Sequence, residues 1–182
     1  MLEPFFMHKQ FLSIILWVII IALSARITFD VPFTEINTTA QTLSILCMAM
    51  LVRPQISVAA ILLYLIVGVL GMPVFSDGKS GWAAFTGDSL GYFVGFIFTV
   101  CIVSTWYWKN KSFQNLAGVI LLLQILGTLF ILTCGVVRLS CLMSWPEAIS
   151  NGFTPFILPG IIKSLLGTII VVVSQKFNLI KH

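Results

Sequence analysis

Charge is almost missing from most of this chain. The stretch from Leu116 to Val137 contains no Lys, Arg, Asp or Glu, and five other stretches come close to it. A soluble domain of this size has a large surface relative to its volume and needs polar residues to cover it. Over 182 residues, charged types make up 9% and hydrophobic types 59%, with a mean hydropathy of +1.08. An ordinary soluble domain has about 25% charged and about 45–50% apolar residues. The solvent for this chain is therefore lipid, and a soluble globular enzyme and a disordered chain are both excluded. A crossing helix takes about 20 residues, so six crossings use about 120 and leave about 60 for links and tails.

The fold expected is an all-α integral membrane protein, with six transmembrane helices in one compact bundle forming a single domain over residues 1–182. Long uninterrupted apolar runs, rather than ten-residue alternation, exclude a β-barrel. The spans read at about 11–27, 39–52, 56–72, 90–107, 116–137 and 155–174. Ser24-Ala25 after the first run mimics a signal-peptide cleavage region, but Glu3 offsets Lys9 and more spans follow, so a retained first helix is expected. Cys47, Cys101, Cys134 and Cys141 show no C-x-x-C spacing and read as small core residues; nothing supports a Cys134–Cys141 disulfide.

Lysine and arginine set the orientation. With a cytoplasmic N-terminus, the inner side carries Lys9, Arg53, Lys109, Lys111, Lys176 and Lys181, and the outer side Arg26, Lys79 and Arg138. Asp30, Glu35, Asp77, Asp88 and Glu147 also fall outside. Both termini are then cytoplasmic. The Trp106-Tyr107-Trp108 cluster before Lys109 reads as an inner aromatic belt. The inner links are short, and Arg53-Pro54 is a tight turn. The outer links are longer, and the one from Pro73 to Ser89 holds Gly78, Gly81 and Gly87 with Phe75, Trp82 and Phe85 between them. Such a loop is either a lid over an external site or a mere connector.

Several chemistries are missing. Pro73 stands where a phosphate-cradling G-x-x-x-x-G-K would need glycine before Gly78-Lys79. His8 and His182, the two histidines, sit at the tails, which removes axial histidine ligation of haem inside the bilayer and histidine-based zinc catalysis. No span pairs carboxylates for a proton relay. No nucleic-acid partner is implied by a net charge of +4 that topology explains. No enzyme activity and no cofactor are expected, which leaves binding, transport or assembly.

Lys163 is the charge that topology does not explain. A lysine at the centre of a span costs roughly 2.5–3.5 kcal/mol on insertion scales, so it faces protein or water rather than lipid. It follows Pro159-Gly160 by about a turn, at the outer, N-terminal end of the last span. There the helix dipole adds positive charge, and the two together suit a bound anion such as a carboxylate. Snorkelling to the outer headgroups is the other reading. Arg138 closes the fifth span at the same face, as a second anion contact or as an interfacial anchor. Gly91 and Gly95 form G-x-x-x-G, which favours close helix packing within the monomer. Gln41, Gln124 and the threonines in or near the spans are candidates for hydrogen bonds between helices and weak candidates for ligand contact.

The residues Val31-Pro32-Phe33-Thr34, Gln41-Thr42-Leu43, Leu63-Tyr64-Leu65 with Gly68, Gly71 and Met72-Pro73-Val74-Phe75, and Gly91-Tyr92 with Gly95-Phe96 resemble the BioY family. The segment from Pro155 to Lys163 resembles its last helix. This family is the biotin-binding S component of energy-coupling-factor (ECF) vitamin transporters. The resemblance implies a multi-pass protein of a prokaryotic cell membrane that captures biotin from outside, with a transmembrane coupling protein and an ATPase pair as partners. It also implies that Lys163 belongs to the biotin site, where the carboxylate is its expected partner; Tyr92 and the loop from Trp82 to Asp88 are expected to shape and cover the pocket. The chain departs from the family pattern at Gly160, where an aspartate is usual, at Gly87-Asp88-Ser89-Leu90, and at Arg138, where tryptophan is usual; Asp88 is a candidate replacement for the missing acid. The first span lacks a clear Ala-x-x-x-Ala face, for which Ala22 and Ala25 are a partial substitute. Transport of another small carboxylate, such as a biotin precursor, and a structural subunit without ligand are the alternatives.

The orientation predicts that single cysteines between Ser76 and Gly87 react with an impermeant thiol reagent added outside intact cells. Cysteines near Lys109 should react only after permeabilisation. The reverse pattern would overturn the orientation.

Overall fold

The computed structural model describes residues 3–29 and 38–177. Its order is α1 (Glu3–Ser24), β1 (Thr28–Phe29), β2 (Thr38–Thr39), α2 (Gln41–Leu51), α3 (Pro54–Val69), α4 (Gly81–Thr86), α5 (Leu90–Lys109), α6 (Ala117–Leu139), α7 (Trp145–Gly152) and α8 (Ile157–Lys176), with short 3-10 turns before α4, α6 and α8. All six apolar stretches are helical, and α4 and α7 are extra helices inside links that read as loops in the sequence. Val31 to Thr34, which carries part of the family resemblance, and Asp30, Glu35, Lys181 and His182 lie outside the described residues.

The boundaries have local causes. α1 ends at Ser24, three residues before the expected boundary. There the Ser24 hydroxyl donates to Ile21 O at 2.8 Å and lies 2.7 Å from the Ser44 hydroxyl. The chain then turns into β1, which pairs antiparallel with β2 in the register Thr28–Thr39 and Phe29–Thr38. Arg53 is extended and Pro54 opens α3 at the first helical position, where its missing N–H costs nothing. Pro155 lies in the 3-10 turn Thr154–Phe156. Pro159 falls in the first turn of α8, where backbone N–H groups have no intrahelical partner anyway.

The helices are not six equal spans. Four runs are long and apolar enough to cross a membrane: Met7–Ser24, Leu90–Lys109, Ala117–Leu139 and the α7–α8 stretch Trp145–Lys176. α2, with 11 residues, rises only about 16 Å, and α3, with 16, about 24 Å, against a hydrocarbon core of about 30 Å. α2 is also the most enclosed helix, packed on α1, α3, α5, α6 and α8. Ile45, Leu46, Cys47, Met48, Ala49 and Met50 on it are all buried. By contrast α1, α6 and α8 expose one apolar side each, such as Leu12, Leu16 and Leu23 on α1 and Ile162, Leu166 and Ile169 on α8. Those sides match lipid.

The glycine pair of α5 packs inside the monomer. A Cβ at Gly91 would stand 2.2 Å from Cys134 O of α6, and one at Gly95 would stand 2.9 Å from Ile131 Cα. The two helices therefore approach along bare backbone, and α5 with α6 is the most extensive helix pair. A third glycine, Gly68 on α3, makes room for Phe75. The chain turns back at Gly71 (φ +106°), and the Phe75 ring occupies the space of a Gly68 side chain. Phe75 is buried there, against Tyr64 and Phe93. All four cysteines are free thiols.

Gly91→Ala should lower stability by about 1–3 kcal/mol, because the new methyl meets backbone that cannot yield. Gly118→Ala, at a site open to space, should leave it unchanged or slightly raised. Thermal unfolding of the two variants in detergent would show the contrast; equal melting temperatures would contradict the packing.

Candidate functional site

α2 is short, and the space beyond its N-terminus is a cavity of about 90 Å³. A single water needs about 10–15 Å³ on this scale, so a larger solute fits. The cavity lies at the end of the bundle where α2, α5 and α8 begin and α6 ends. Phe93, Phe96, Ile131, Leu132 and Phe156 form its apolar wall. Its polar groups are Thr38, Thr39, Gln41, Thr42, Ser76, Asp88, Ser89, Thr128 and Lys163.

Lys163 reaches this space from the second turn of α8. Its ammonium donates to Thr38 Oγ1 at 2.7 Å and to Thr39 O at 2.9 Å. An ammonium has three N–H donors, and these two are the ones that meet an acceptor among the described residues. Snorkelling does not describe this geometry: the side chain is half-buried and points to β2 and the cavity. The dipole argument also moves. Because α8 begins at Ile157, Lys163 sits past its first turn. The helix end beside the ammonium is that of α2, where N-cap Ala40 supplies no side-chain cap and Gln41 and Thr42 line the cavity. Gln41 N–H in that first turn donates to Thr39 Oγ1 at 3.3 Å, and the positive end of the α2 dipole adds to the charge of the ammonium.

The expected site residues divide. Lys163, Tyr92 and Asp88 share the cavity lining; Trp82 and Arg138 do not belong to it. Tyr92 is a wall whose hydroxyl is already used, donating to Gly152 O at 2.9 Å. Its ring lies against Gly135 and its hydroxyl against Gly152, where any Cβ would collide with it. Asp88 is exposed at the cavity mouth, next to the start of α5, where a carboxylate is favoured by the helix dipole. Gly160 lines the same cavity, so Asp88 and the position of the expected acid do meet one space.

Trp82 is 67% exposed on α4 and stacks loosely on Phe85. Arg138 grips the end of α4: Nε donates to Gly87 O at 3.2 Å and a terminal nitrogen to Thr86 O at 2.6 Å. Arg26 does the same at the other end of this link, donating to Pro73 O at 2.6 Å. The two arginines thus strap the link from Pro73 to Ser89 at both ends. That link contributes Ser76, Asp88 and Ser89 to the cavity. It is more than a connector, and Arg138 serves it from behind.

In the sequence Gln41 and the threonines in or near the spans are candidates for hydrogen bonds between helices and weak ones for ligand contact; Thr38, Thr39 and Thr128 do not stand out among them. Threonines are common in spans and carry no spacing signal, so only the meeting of β2, α6 and α8 singles these out. No group of three His, Cys, Asp or Glu suited to a metal exists among the described residues.

The sequence matches the BioY family over residues 3–178. This chain belongs to the BioY family. A biotin transporter BioY2 of Lactococcus lactis is 33% identical over 76% of this chain and 76% of its own length. A probable biotin transporter BioY of Rickettsia prowazekii is 31% identical over 85% of this chain and 77% of its own. The crystal structure of an S-component for biotin from an ECF-type ABC transporter superposes with a TM-score of 0.81, covering 96% of both chains at 23% identity. At that identity the likeness is one of fold. The shared fold covers nearly the whole chain and so includes the elements that line the cavity.

Replacing Arg138 by Gln should release the Thr86 and Gly87 carbonyls without touching the cavity wall. Amide hydrogen exchange between residues 81 and 89 should rise, while α5 and α6 stay protected. Unchanged exchange in this segment would show that the strap does not hold it.

Proposed function

We propose that this BioY protein is a membrane-embedded S component that captures biotin from outside for import, working with a transmembrane coupling protein and a pair of ATPases. The observation that carries the reading is the cavity itself: Lys163, with two of its donors held by Thr38 and Thr39, sits beside the N-terminus of α2 at the edge of an apolar pocket. Biotin presents a carboxylate on an aliphatic chain and a polar ureido ring. The carboxylate goes to Lys163 and the α2 terminus, and the chain lies along Phe93, Phe96 and Ile131. Asp88 at the mouth accepts an N–H, and Tyr92 is wall. Trp82 and Arg138 act on the covering link, Trp82 from its exposed face and Arg138 as a strap.

Six crossings with both termini in the cytoplasm support capture from outside. The cavity end carries Arg26, Lys79 and Arg138, while Arg53, Lys109, Lys111 and Lys176 lie at the far end. More cations at the far end make it the cytoplasmic one. α2 crosses as a partial helix buried in protein, completed on the outer side by β2 and the cavity, which is where irregular backbone is tolerated at membrane depth. The sequence contains no phosphate-cradling motif, so the energy for release comes from the partners. The coupling protein meets the exposed side of α1; Ala25 is turned inward and fully buried, so it takes no part in that contact.

Purified protein should bind biotin saturably, and Lys163→Ala should weaken binding by about 30-fold or more, as for a charge partner removed from a desolvated site. No saturable binding by the parent would overturn the reading. A different carboxylate that displaces labelled biotin at much lower concentration would replace biotin as the substrate.

A further inference from the structure

A second recognition group lies on the cavity wall, and its orientation is set from behind. Tyr64 of α3 is fully buried. Its hydroxyl oxygen is 3.0 Å from Val74 O and 2.9 Å from the side-chain nitrogen of Gln41. A tyrosine hydroxyl carries one proton, and a backbone carbonyl can only accept. Two oxygens at 3.0 Å need a proton between them, so the Tyr64 proton lies on the line to Val74 O. The hydroxyl is then left as an acceptor toward Gln41, and the Gln41 amide must turn its Nε2 to Tyr64. With the amide reversed, Gln41 Oε1 and Val74 O would compete for a single proton. The relay therefore has one direction: Gln41 N–H to Tyr64 O–H to Val74 carbonyl.

Gln41 is itself buried, at 3% exposure, and lines the cavity. The bond to Tyr64 is the one hydrogen bond its amide makes among the described residues. With one N–H committed, the amide retains Oε1 as an acceptor and a second N–H as a donor, side by side in one plane. That pair is the complement of an N–H and C=O edge of a cyclic urea, which it can meet with two hydrogen bonds. A carboxylate, which only accepts, cannot use Oε1 and already has Lys163.

We infer that the Gln41 amide recognises the ureido edge of the ligand, and that Tyr64 is the positioning residue that holds this amide with Oε1 available to the cavity. The inference rests on the biotin reading above and adds to it the group that reads the ring. Val74 is part of the device. Burial of Phe75 against Gly68 holds the turn that brings the Val74 carbonyl over Tyr64.

Two discriminations by purified protein separate the roles. One is biotin against 2-iminobiotin, in which the ureido oxygen is replaced; the other is biotin against its neutral carboxamide. Gln41→Leu should weaken biotin binding by about 10- to 100-fold, as expected when a buried polar partner is lost. It should also remove most of the preference over 2-iminobiotin while leaving the preference over the carboxamide intact. Tyr64→Phe keeps the ring and frees the amide to turn, so it should reduce the first preference several-fold and not the second. Lys163→Met should do the reverse. If Gln41→Leu binds biotin as the parent does, or loses both preferences together, the inference is overturned while the biotin reading stands. A parent that binds no biotin would overturn both.

Discussion

The ammonium of Lys163 has to be solvated inside a bundle whose surroundings are lipid, and the rest of the cavity half of the molecule follows from how that is done. Water is replaced by a threonine hydroxyl and a backbone carbonyl from β2. These are within reach because α2 starts only at Gln41, so the chain before it is free to run as irregular backbone beside α8. A longer α2 would use the same carbonyls within its own helix and would fill the cavity. A helix about half the thickness of the bilayer is thus the condition for both the lysine and the pocket.

Around this point, glycine determines how closely the walls approach. Bare backbone at Gly91 and Gly95 brings α5 onto α6, which sets the apolar wall. Space at Gly68 lets Phe75 fold back, which brings the Val74 carbonyl to Tyr64 and so reaches Gln41 through two hydrogen bonds. Arg26 and Arg138 then tie both ends of the covering link to the turn after α1 and to α6. Residues that count only as positive charge in a topology argument act here through the directed donors of a guanidinium, which can hold two carbonyls at once.

Much of this was legible in the sequence. The helices from Leu90 and Ala117 were readable nearly to their ends because lipid demands uninterrupted apolar runs. Arg53-Pro54 and the G-x-x-x-G pair were readable because proline and glycine have few structural uses in a span. α4 and α7 were not, being only 6 and 8 residues long, although Ser144 and Glu147 form a capping box at the start of α7. Trp82 and Arg138 looked like pocket residues because the sequence gives the face of the membrane on which a residue lies, but not the direction in which its side chain turns. Gln41 carried too little weight for a related reason: its use depends on Tyr64, 23 positions away.

What the sequence determined by itself was the solvent, the helical class, the resemblance to BioY and the singular position of Lys163. Each of these follows from how much polar chemistry a bilayer tolerates, which is a property of local composition. Only the tertiary structure decided which polar groups meet Lys163, that the dipole beside it belongs to α2 rather than to α8, and which way the Gln41 amide points. Those are questions of direction between segments far apart in the chain, and hydrogen bonds, unlike hydrophobicity, depend on direction.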